Sequence, residues 1–598
     1  MFLRRLRPPH CSVRAFHDVR SYKEDTRWPG WQVIVGIETH AQLKSRRKLF
    51  SESLTSSLAD KINSNVSPFD AAFPGTLPKV NSKCVDLALR TALALKCQVA
   101  SRSLFDRKHY FYSDLASGYQ ITQQYAPLAK NGELELEIPN LPPIKVRIKQ
   151  IQLEQDTAKS TFNSRTQTSN IDLNRAGTGL MEIVSEPDLR SPEEAGIYVR
   201  SLQAILRAMG TSDGNMEQGS LRCDVNVSVN KKGEPPGTRC EIKNLNSVKF
   251  MMAAITHEVH RQQDFLQTNP GLSVPQETRG FNENTFETFH LRSKEDAPDY
   301  RYMPDPNLGA LVVSQSRIQD IRDTLPLLPA QRRAYLLRKY PALQMKEQSL
   351  DVLLKVDNTR DIGFDGEDAR GAVEYFEVLC QGQDIPSRRD VHANTRDPVF
   401  VLNWLTHDLL GQLAAHGQTF SSNPLTPYQF GEILDLVKDR QITGTSAKYL
   451  LRYMLANPSG DNAIDTATKL DFINPVSVSS SSLSSTSTLP SSSSHEVPSD
   501  LALEDPSTQN TSSSVINSSF TSSSAPRTSN VPPEVQAFCH QAISELPNEV
   551  EVLRTGKSKG VLNKIVGFVM KKSRGRADAI AVKGVLEKLI YDSVRDDQ

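Results

Sequence analysis

Val33, Val35 and Ile37 are apolar at every second position, with other residues between them, which is the period of a half-buried strand. From Trp31 to about Ser314, short runs of this kind are separated by turn residues. Helical spacing interrupts them over Val85–Leu95 and Pro192–Met209. This mixture predicts an α+β body. From about Arg317 to Asn457 the spacing is helical, with one stretch over Leu402–Leu413 and another carrying Leu434, Val437 and Ile442. Residues 471–530 hold 23 serines and few aromatics, too little apolar surface to offset the entropy of ordering, and are expected to form a disordered linker. After them, Val535–Asp592 reads as folded. Its stripe Leu562, Ile565, Val566 and Val569 is predicted to pack on Val582, Val585, Leu586 and Leu589. No internal repeat is visible.

Length changes this picture only by dividing it: 598 residues call for roughly three or four domains. A net charge of +1 excludes nothing until it is read by segment. The first 17 residues contain Arg4, Arg5, Arg7 and Arg14, no acid, and apolar residues between them. That composition reads as a mitochondrial transit peptide, with a disordered basic tail as the alternative. The seven cysteines (Cys11, Cys84, Cys97, Cys223, Cys240, Cys380 and Cys539) are scattered and form no C-x-x-C, which fits a reducing compartment. No apolar run approaches the roughly 20 residues that span a bilayer.

Acids recur on the strand-like runs. Glu38 and His40 are two apart and share a strand face; so do Glu154 and Asp156, and so do Asp224 and Asn226. Glu182 stands among apolar residues in Leu180-Met181-Glu182-Ile183-Val184, and Glu217 precedes the Asp224 run. Buried carboxylates are costly without a cation. Two readings stay open on the residues alone. The acids converge on Mg²⁺–ATP, or each pairs with a nearby base such as Arg175, Arg190, Arg222 or Lys243. The common phosphate-loop, dinucleotide, zinc-protease and serine-elbow motifs are absent. Near the C-terminus, Lys557, Lys559, Lys564, Lys571, Lys572, Arg574 and Arg576 occur between Gly556 and Arg576 with no acid. On a helical module they predict a basic face suited to the phosphates of a folded RNA.

Seven blocks then carry a resemblance: Val33–Leu43, Phe73–Asn81, Phe105–Gln123, Leu173–Pro192, Asp213–Ser228, Glu241–Ser247 and Asp299–Pro306. The most specific pieces are Asp106-Arg107-Lys108-His109-Tyr110-Phe111-Tyr112, Gly118-Tyr119-Gln120-Ile121-Thr122-Gln123, Glu182-Ile183-Val184-Ser185-Glu186-Pro187-Asp188 and Asp299-Tyr300-Arg301-Tyr302-Met303-Pro304. In order and content they resemble the B-subunit family of the glutamyl-tRNA(Gln) amidotransferases. The resemblance implies a mixed-sheet catalytic cradle over 31–315, a helical domain over 316–470 and a small helical tRNA-binding tail domain over 531–598. The leader (1–30) and the serine-rich linker (471–530) lie outside the common pattern.

It further implies a carbon–nitrogen ligase with glutamine as amido donor. An amidase-type A subunit would release ammonia, a small third subunit would complete the complex, and charged tRNA would be the substrate. ATP and Mg²⁺ would serve to phosphorylate the γ-carboxylate of tRNA-bound glutamate, and ammonia arriving by a tunnel would displace the phosphate. By matched positions the metal candidates are Glu38, His40, Glu154, Glu182 and Glu217. The catalytic candidates are Lys108, Tyr110, Tyr112, Glu154 and Glu182. Three positions depart from the family pattern: Gln155 and Gln218 stand where relatives carry acids, and Ser113 where proline is common. The residue matching Gln155 is expected to pair with Lys108 at the tunnel, which would leave this chain without an ionic gate. The rival reading is a non-catalytic tRNA-binding scaffold with decayed acid sites; aspartyl-tRNA is the alternative substrate.

Overall fold

The computed structural model describes residues 25–57, 59–138, 142–293, 299–366, 371–382, 395–458, 460–473, 533–554, 561–573, 577 and 579–592. Residues 1–24 of the expected leader and nearly all of the expected linker lie outside them; Trp28, inside the expected leader, is buried in the first unit's core. The chain forms two compact units. One runs to Glu377 and adds Asp397–Thr406 and Thr419–Ser421; the other comprises Val378–Arg396, His407–Gln418 and Ser422–Gln598.

The first unit is built on a nine-stranded sheet. Its strands and those beside it are β1 (Trp31–Gln42), β2 (Gln98–Val99), β3 (Arg102–Ser103), β4 (Asp106–His109), β5 (Tyr119–Thr122), β6 (Ala129–Leu136), β7 (Ile144–Gln155), β8 (Lys159–Asn163), β9 (Thr168–Asp172), β10 (Gly179–Ser185), β11 (Leu221–Lys231), β12 (Cys240–Leu245), β13 (Glu277–Asn282), β14 (Glu287–Ser293) and β15 (Met303–Pro304). The order across the large sheet is β14-β13-β12-β11-β1-β10-β7-β6-β2. The β12–β13 pair is parallel and β1 runs antiparallel to both its neighbours, so the sheet is mixed.

Strand alternation gives this sheet two unlike faces. Val33, Val35 and Ile37 of β1, Ile151 and Leu153 of β7, Met181 and Ile183 of β10, and Val225 and Val227 of β11 enter one apolar core. Helices α1 (Ser82–Ala94), α2 (Pro192–Ala208) and α3 (Val248–Thr268) supply its other half. Each fully buried side chain of this size contributes roughly 1.5–3 kcal/mol. Each helix begins on a residue whose side chain accepts a backbone N–H: Asn81 for α1, Ser191 for α2, Ser247 for α3. The residues between the core positions occupy the opposite face, and there the register brings distant segments together. His40 lies opposite Glu182 and Arg222, Glu38 opposite Asp224, and Glu182 opposite Gln152. A small sheet, β15-β4-β5, reaches this polar face through side-chain hydrogen bonds between β5 and β7.

The expected boundary near 315 does not separate compact bodies. Val313 and Ile318 belong to the sheet's core, and Arg317 donates to the Asp86 carboxylate of α1 at 2.8 Å. Helices through Glu377 therefore group with the sheet. In the second unit, Leu434 and Val437 of the predicted stretch lie in the helix Pro427–Lys438, and Ile442 lies in the turn before the next helix, Gly444–Ala456. Arg440 takes a left-handed conformation (φ 56°) and Thr443 caps the next helix, which breaks the run. The C-terminal module has four helices: Pro533–Glu545, Pro547–Arg554, Val561–Lys572 and Ala579–Asp592. Leu562, Ile565, Val569, Val582 and Leu586 form its core with residues of the first two helices, and Val566, Val585 and Leu589 pack beside it. The predicted helix pairing holds. Among the described residues no helix is long and apolar enough to cross a membrane. The six described cysteines are buried.

Candidate active site

Glu38 and His40 leave β1 on the polar face, and Glu182 leaves β10 beside them. His40 Nε2 lies 3.7 Å from Glu38 Oε1 and 3.9 Å from Glu182 Oε2. One ligand atom from each of the three falls within 4.8 Å of the others. Gln152 of β7 donates from Nε2 to Glu182 Oε2 at 2.6 Å and to Thr122 Oγ1 at 3.2 Å; its own Oε1 accepts from Gln150 at 2.6 Å. This row of amides fixes the carboxylate. Burial, then the neighbouring carboxylates Glu154 and Glu38, hold Glu182 well above the usual carboxylate range.

Glu154 occupies the same face of β7. Gln120 Nε2 donates to Glu154 Oε1 and to the Gln155 carbonyl oxygen (2.7 Å), while Gln120 Oε1 accepts from the Tyr110 hydroxyl at 2.9 Å. Glu154 Oε2 is buried and has no hydrogen-bond partner among the described residues. Lys108 of β4 sits over this wall, its Nζ 4.9 Å from the Tyr300 ring centre and 5.9 Å from that of Tyr110. Burial alone would lower its pKa. Glu154, Tyr302 and Glu182 outweigh burial and raise it, so Lys108 remains a cation. Burial lifts the Tyr110 hydroxyl and pushes Tyr302 up to about 12. Glu38, Glu182, Gln152 and Lys108 line a cleft of about 410 Å³, whose other walls carry Lys149, Arg239, Lys243 and Arg292.

The two readings of the acids divide residue by residue. Asp156 pairs with Arg222 at 2.9 Å and Arg175 at 3.6 Å, and Asp224 pairs with Lys243 at 2.8 Å. Burial would raise the Asp224 pKa, but Lys243, His40 and the Asn244 N–H win and lower it. Among the described residues, no lysine or arginine lies within ion-pair distance of Glu38, Glu154 or Glu182. The donor set of Glu38, His40 and Glu182 fits a divalent cation that keeps open positions for water or phosphate, and the orphaned oxygen of Glu154 adds an unsatisfied acceptor beside it. Glu154 lies outside the three-residue group. Glu217 also stays apart: it is exposed in the turn Met216–Gly219, closed by the Gly219 N–H on the Met216 carbonyl, which turns it away from the face. Tyr112 is exposed, 5.6 Å from the Tyr110 ring.

Gln155 departs from expectation. Its amide donates to the Tyr119 carbonyl at 3.5 Å and lines, with Asp156, a separate cavity of about 180 Å³. The carboxylate that raises the Lys108 pKa most is Glu154, so an acid-to-amide change at 155 leaves that influence in place. Sequence reasoning misses the roles of Gln120, Gln150, Gln152, Tyr300 and Tyr302. The two-residue spacing of Gln150 and Gln152 with Glu154 on β7 is the signal that could have found the first-named pair of that strand.

In the tail, Lys564 pairs with Glu549 at 2.7 Å and Lys572 lies 3.8 Å from Glu545. The acid-free run therefore meets acids from the two preceding helices, and its face is less basic than the local sequence implies. Lys571 is exposed; Lys557, Lys559, Arg574 and Arg576 lie outside the described residues.

Residues 33–319 match the GatB/GatE catalytic domain, and residues 389–474 with 528–590 match the GatB domain. The B subunit of the mitochondrial glutamyl-tRNA(Gln) amidotransferase of Laccaria bicolor is 57% identical over 597 residues, covering 98% of both chains. The chain belongs to the amidotransferase B-subunit family. Within this family, the mitochondrial glutamyl-tRNA(Gln) amidotransferase protein of the same type from Mycosarcoma maydis is 42% identical, covering 94% of this chain and 86% of that one. The B subunit of the aspartyl/glutamyl-tRNA(Asn/Gln) amidotransferase of Acidiphilium cryptum is 43% identical, covering 74% of this chain and 85% of that one. The catalytic-domain match contains every residue of the cleft, and the split GatB match brackets the serine-rich segment.

Proposed function

We propose that the cleft activates the γ-carboxylate of glutamate carried on tRNA, using ATP, and hands the product to ammonia. The chain acts as the B component of a heteromeric tRNA amidotransferase that makes glutaminyl-tRNA from glutamyl-tRNA for mitochondrial translation. The observation that carries the activation step is the opposition of Lys108 to the Glu38–His40–Glu182 group across one cleft.

A carboxylate does not react with ammonia, because its leaving group would be oxide. Transfer of the γ-phosphoryl group of ATP to a carboxylate oxygen releases ADP and gives an acyl phosphate. Ammonia then attacks the acyl carbon, phosphate departs, and the nitrogen loses a proton. Lys108 stays charged, so its task is to bind and orient the carboxylate rather than to accept a proton. Lys149, Arg239 and Arg292 offer positive charge to polyphosphate along the cleft. When bound, a divalent cation held by Glu38, His40 and Glu182 would offset phosphate charge. Gln120 and Gln152 hold Glu154 and Glu182 in place. The cavity beside Gln155 lies behind the Tyr119 and Gln155 wall and is the candidate approach for ammonia from an amidase partner. The scaffold reading loses its motive, since Gln155 lines a different cavity from Glu38 and Glu182 and Gln218 is exposed.

The test is transfer of label from γ-³²P-ATP in the purified complex, with glutamyl-tRNA and without glutamine. Acid-labile label that requires the glutamyl group is expected in wild type and absent in Lys108→Met. Wild-type complex that forms glutaminyl-tRNA without such an intermediate would refute the activation step.

A further inference from the structure

Five tyrosines form a continuous row along one wall of the first unit. Ring centres are 6.3 Å apart for Tyr125–Tyr302, 6.0 Å for Tyr302–Tyr300, 5.9 Å for Tyr300–Tyr110 and 5.6 Å for Tyr110–Tyr112. The middle of the row holds Lys108, and both ends are open: Tyr125 is 64% exposed and Tyr112 is 57% exposed. Backbone contacts fix the row. The His109 N–H donates to the Tyr300 carbonyl at 2.8 Å, and His109 Nδ1 lies 3.1 Å from the Arg301 carbonyl oxygen. Arg301 is held in the left-handed region, at φ 42°, an unfavourable conformation for a side-chain-bearing residue. The Tyr125 N–H is fixed on the buried Asp106 carboxylate at 3.0 Å. A strained residue and a buried cap thus serve to present rings, the outermost of which lie in solvent.

The two ends differ. Beyond Tyr112 the chain continues to Asp114 and the cavity beside Gln155. Gln124, next to Tyr125 in the chain, lines the cleft that holds Lys108, together with Lys149 and Tyr302. A glutamyl ester spans only roughly 6 Å from its carboxylate to the ribose oxygen, at about 1.5 Å per bond. With the carboxylate at Lys108, the terminal ribose and its base must therefore lie on neighbouring surface. That surface, at the end flanked by cations, is Tyr302 and Tyr125.

We propose that Tyr125 and Tyr302 form a stacking platform for the 3′-terminal base of the aminoacylated tRNA, with Lys149 facing its phosphate. The inference rests on the proposed function and adds to it a recognition device: an unpaired end is gripped by aromatic faces, which read no hydrogen-bonding edge and accept any base. Tyr125 is the diagnostic residue, because its ring is mostly exposed and stands at the open end of the row.

The experiment uses the intact heteromeric complex and deacylated tRNA whose 3′-terminal adenosine is replaced by 2-aminopurine. Wild type is expected to quench the probe on binding. Tyr125→Phe keeps the ring and should quench equally. Tyr125→Ala should lose most of the quench and raise KM for glutamyl-tRNA about 10-fold, the loss falling on KM rather than kcat. That KM ratio should stay constant as salt is raised, since stacking is not ionic, whereas Lys149→Ala should flatten the salt slope. Full quench and unchanged KM in Tyr125→Ala overturn the proposal. So does a Phe variant as poor as Ala, which would assign the effect to the hydroxyl, and so does loss of partner subunits from Tyr125→Ala on gel filtration. A wild-type complex that fails to activate glutamyl-tRNA sinks the functional reading instead; the quench arms need no catalysis and test the platform separately.

Discussion

Replacing Glu182 by glutamine should make the metal-free chain more stable while abolishing its activation chemistry. Glu182 is buried, and its side chain is held by Gln152, a contact that glutamine at 182 retains by accepting through its carbonyl. What the variant loses is charge. The ligand oxygens of Glu38 and Glu182 lie within 4.8 Å, and at an effective dielectric of about 20 two charges at that distance repel by about 3.5 kcal/mol. The Glu38 side chain is 30% exposed, so solvent screening reduces this to roughly 2 kcal/mol.

The sign follows from the raised pKa. The folded state keeps the Glu182 proton at pH values where the unfolded chain has released it, so stability falls as pH rises from the unfolded pKa toward the folded one. Below about pH 4.5 wild type and variant should melt alike, and at about pH 8 without divalent cation the variant should melt a few degrees higher. Adding Mg²⁺ or Mn²⁺ should stabilise wild type, by about 2.7 kcal/mol at roughly 100 times its Kd, and reverse the order; the variant should respond weakly. Thermal melting of the isolated chain at several pH values, with and without cation, measures all of this. A variant less stable than wild type in alkaline buffer without cation, or one stabilised equally by it, would show that Glu182 is a structural acid.

Other outcomes follow from the same geometry. Gln155→Glu should leave activation of glutamyl-tRNA near wild type, because residue 155 lines a cavity separate from the cleft that holds Lys108; a change confined to the coupling between glutamine hydrolysis and product would place it on the ammonia side, and loss of the labelled intermediate would contradict this. Truncation after about residue 530 should leave assembly intact, raise KM for charged tRNA and flatten its salt dependence; unchanged KM and slope would remove the tail as an RNA contact. The tail's slope should be shallower than seven free bases would give, since Lys564 and Lys572 already meet acids. Residues 1–30 fused to a fluorescent protein should enter mitochondria, and cytosolic fluorescence would count against the leader.

Strand alternation makes much of this legible. Val33, Val35 and Ile37 identify the core face of β1, so Glu38 and His40 fall on the other by period alone; Glu154, Glu182 and Asp224 follow on their own strands. What alternation does not carry is register between segments far apart in the chain. Asp156 meets Arg222 across 66 positions and Arg107 meets Asp305 across 198. Those partners decide which acids are neutralised, and no local window contains them. The same limit applies to the tail, where Glu545 and Glu549 come from helices preceding the basic run. Gln155 is a different case. The pleat puts it one residue out of phase with Glu154, and its side chain lines a different cavity from Lys108, which a motif match does not carry.

The division of acids on the polar face is what favours catalysis over scaffold. Asp156 and Asp224 are buried with lysine or arginine partners and need nothing further; removing either partner would strand a charge at a cost of several kcal/mol. Glu154 and Glu182 are held by amides instead, and amides orient a carboxylate without neutralising it, while Glu38 stands beside them with no lysine or arginine among the described residues in ion-pair range. A fold optimised only for stability would pair or replace such a trio. This one commits Gln120, Gln150 and Gln152 to orienting the acids, with Glu38 and Glu182 lining a cleft that also holds a permanent cation, where the balancing positive charge must arrive with a ligand.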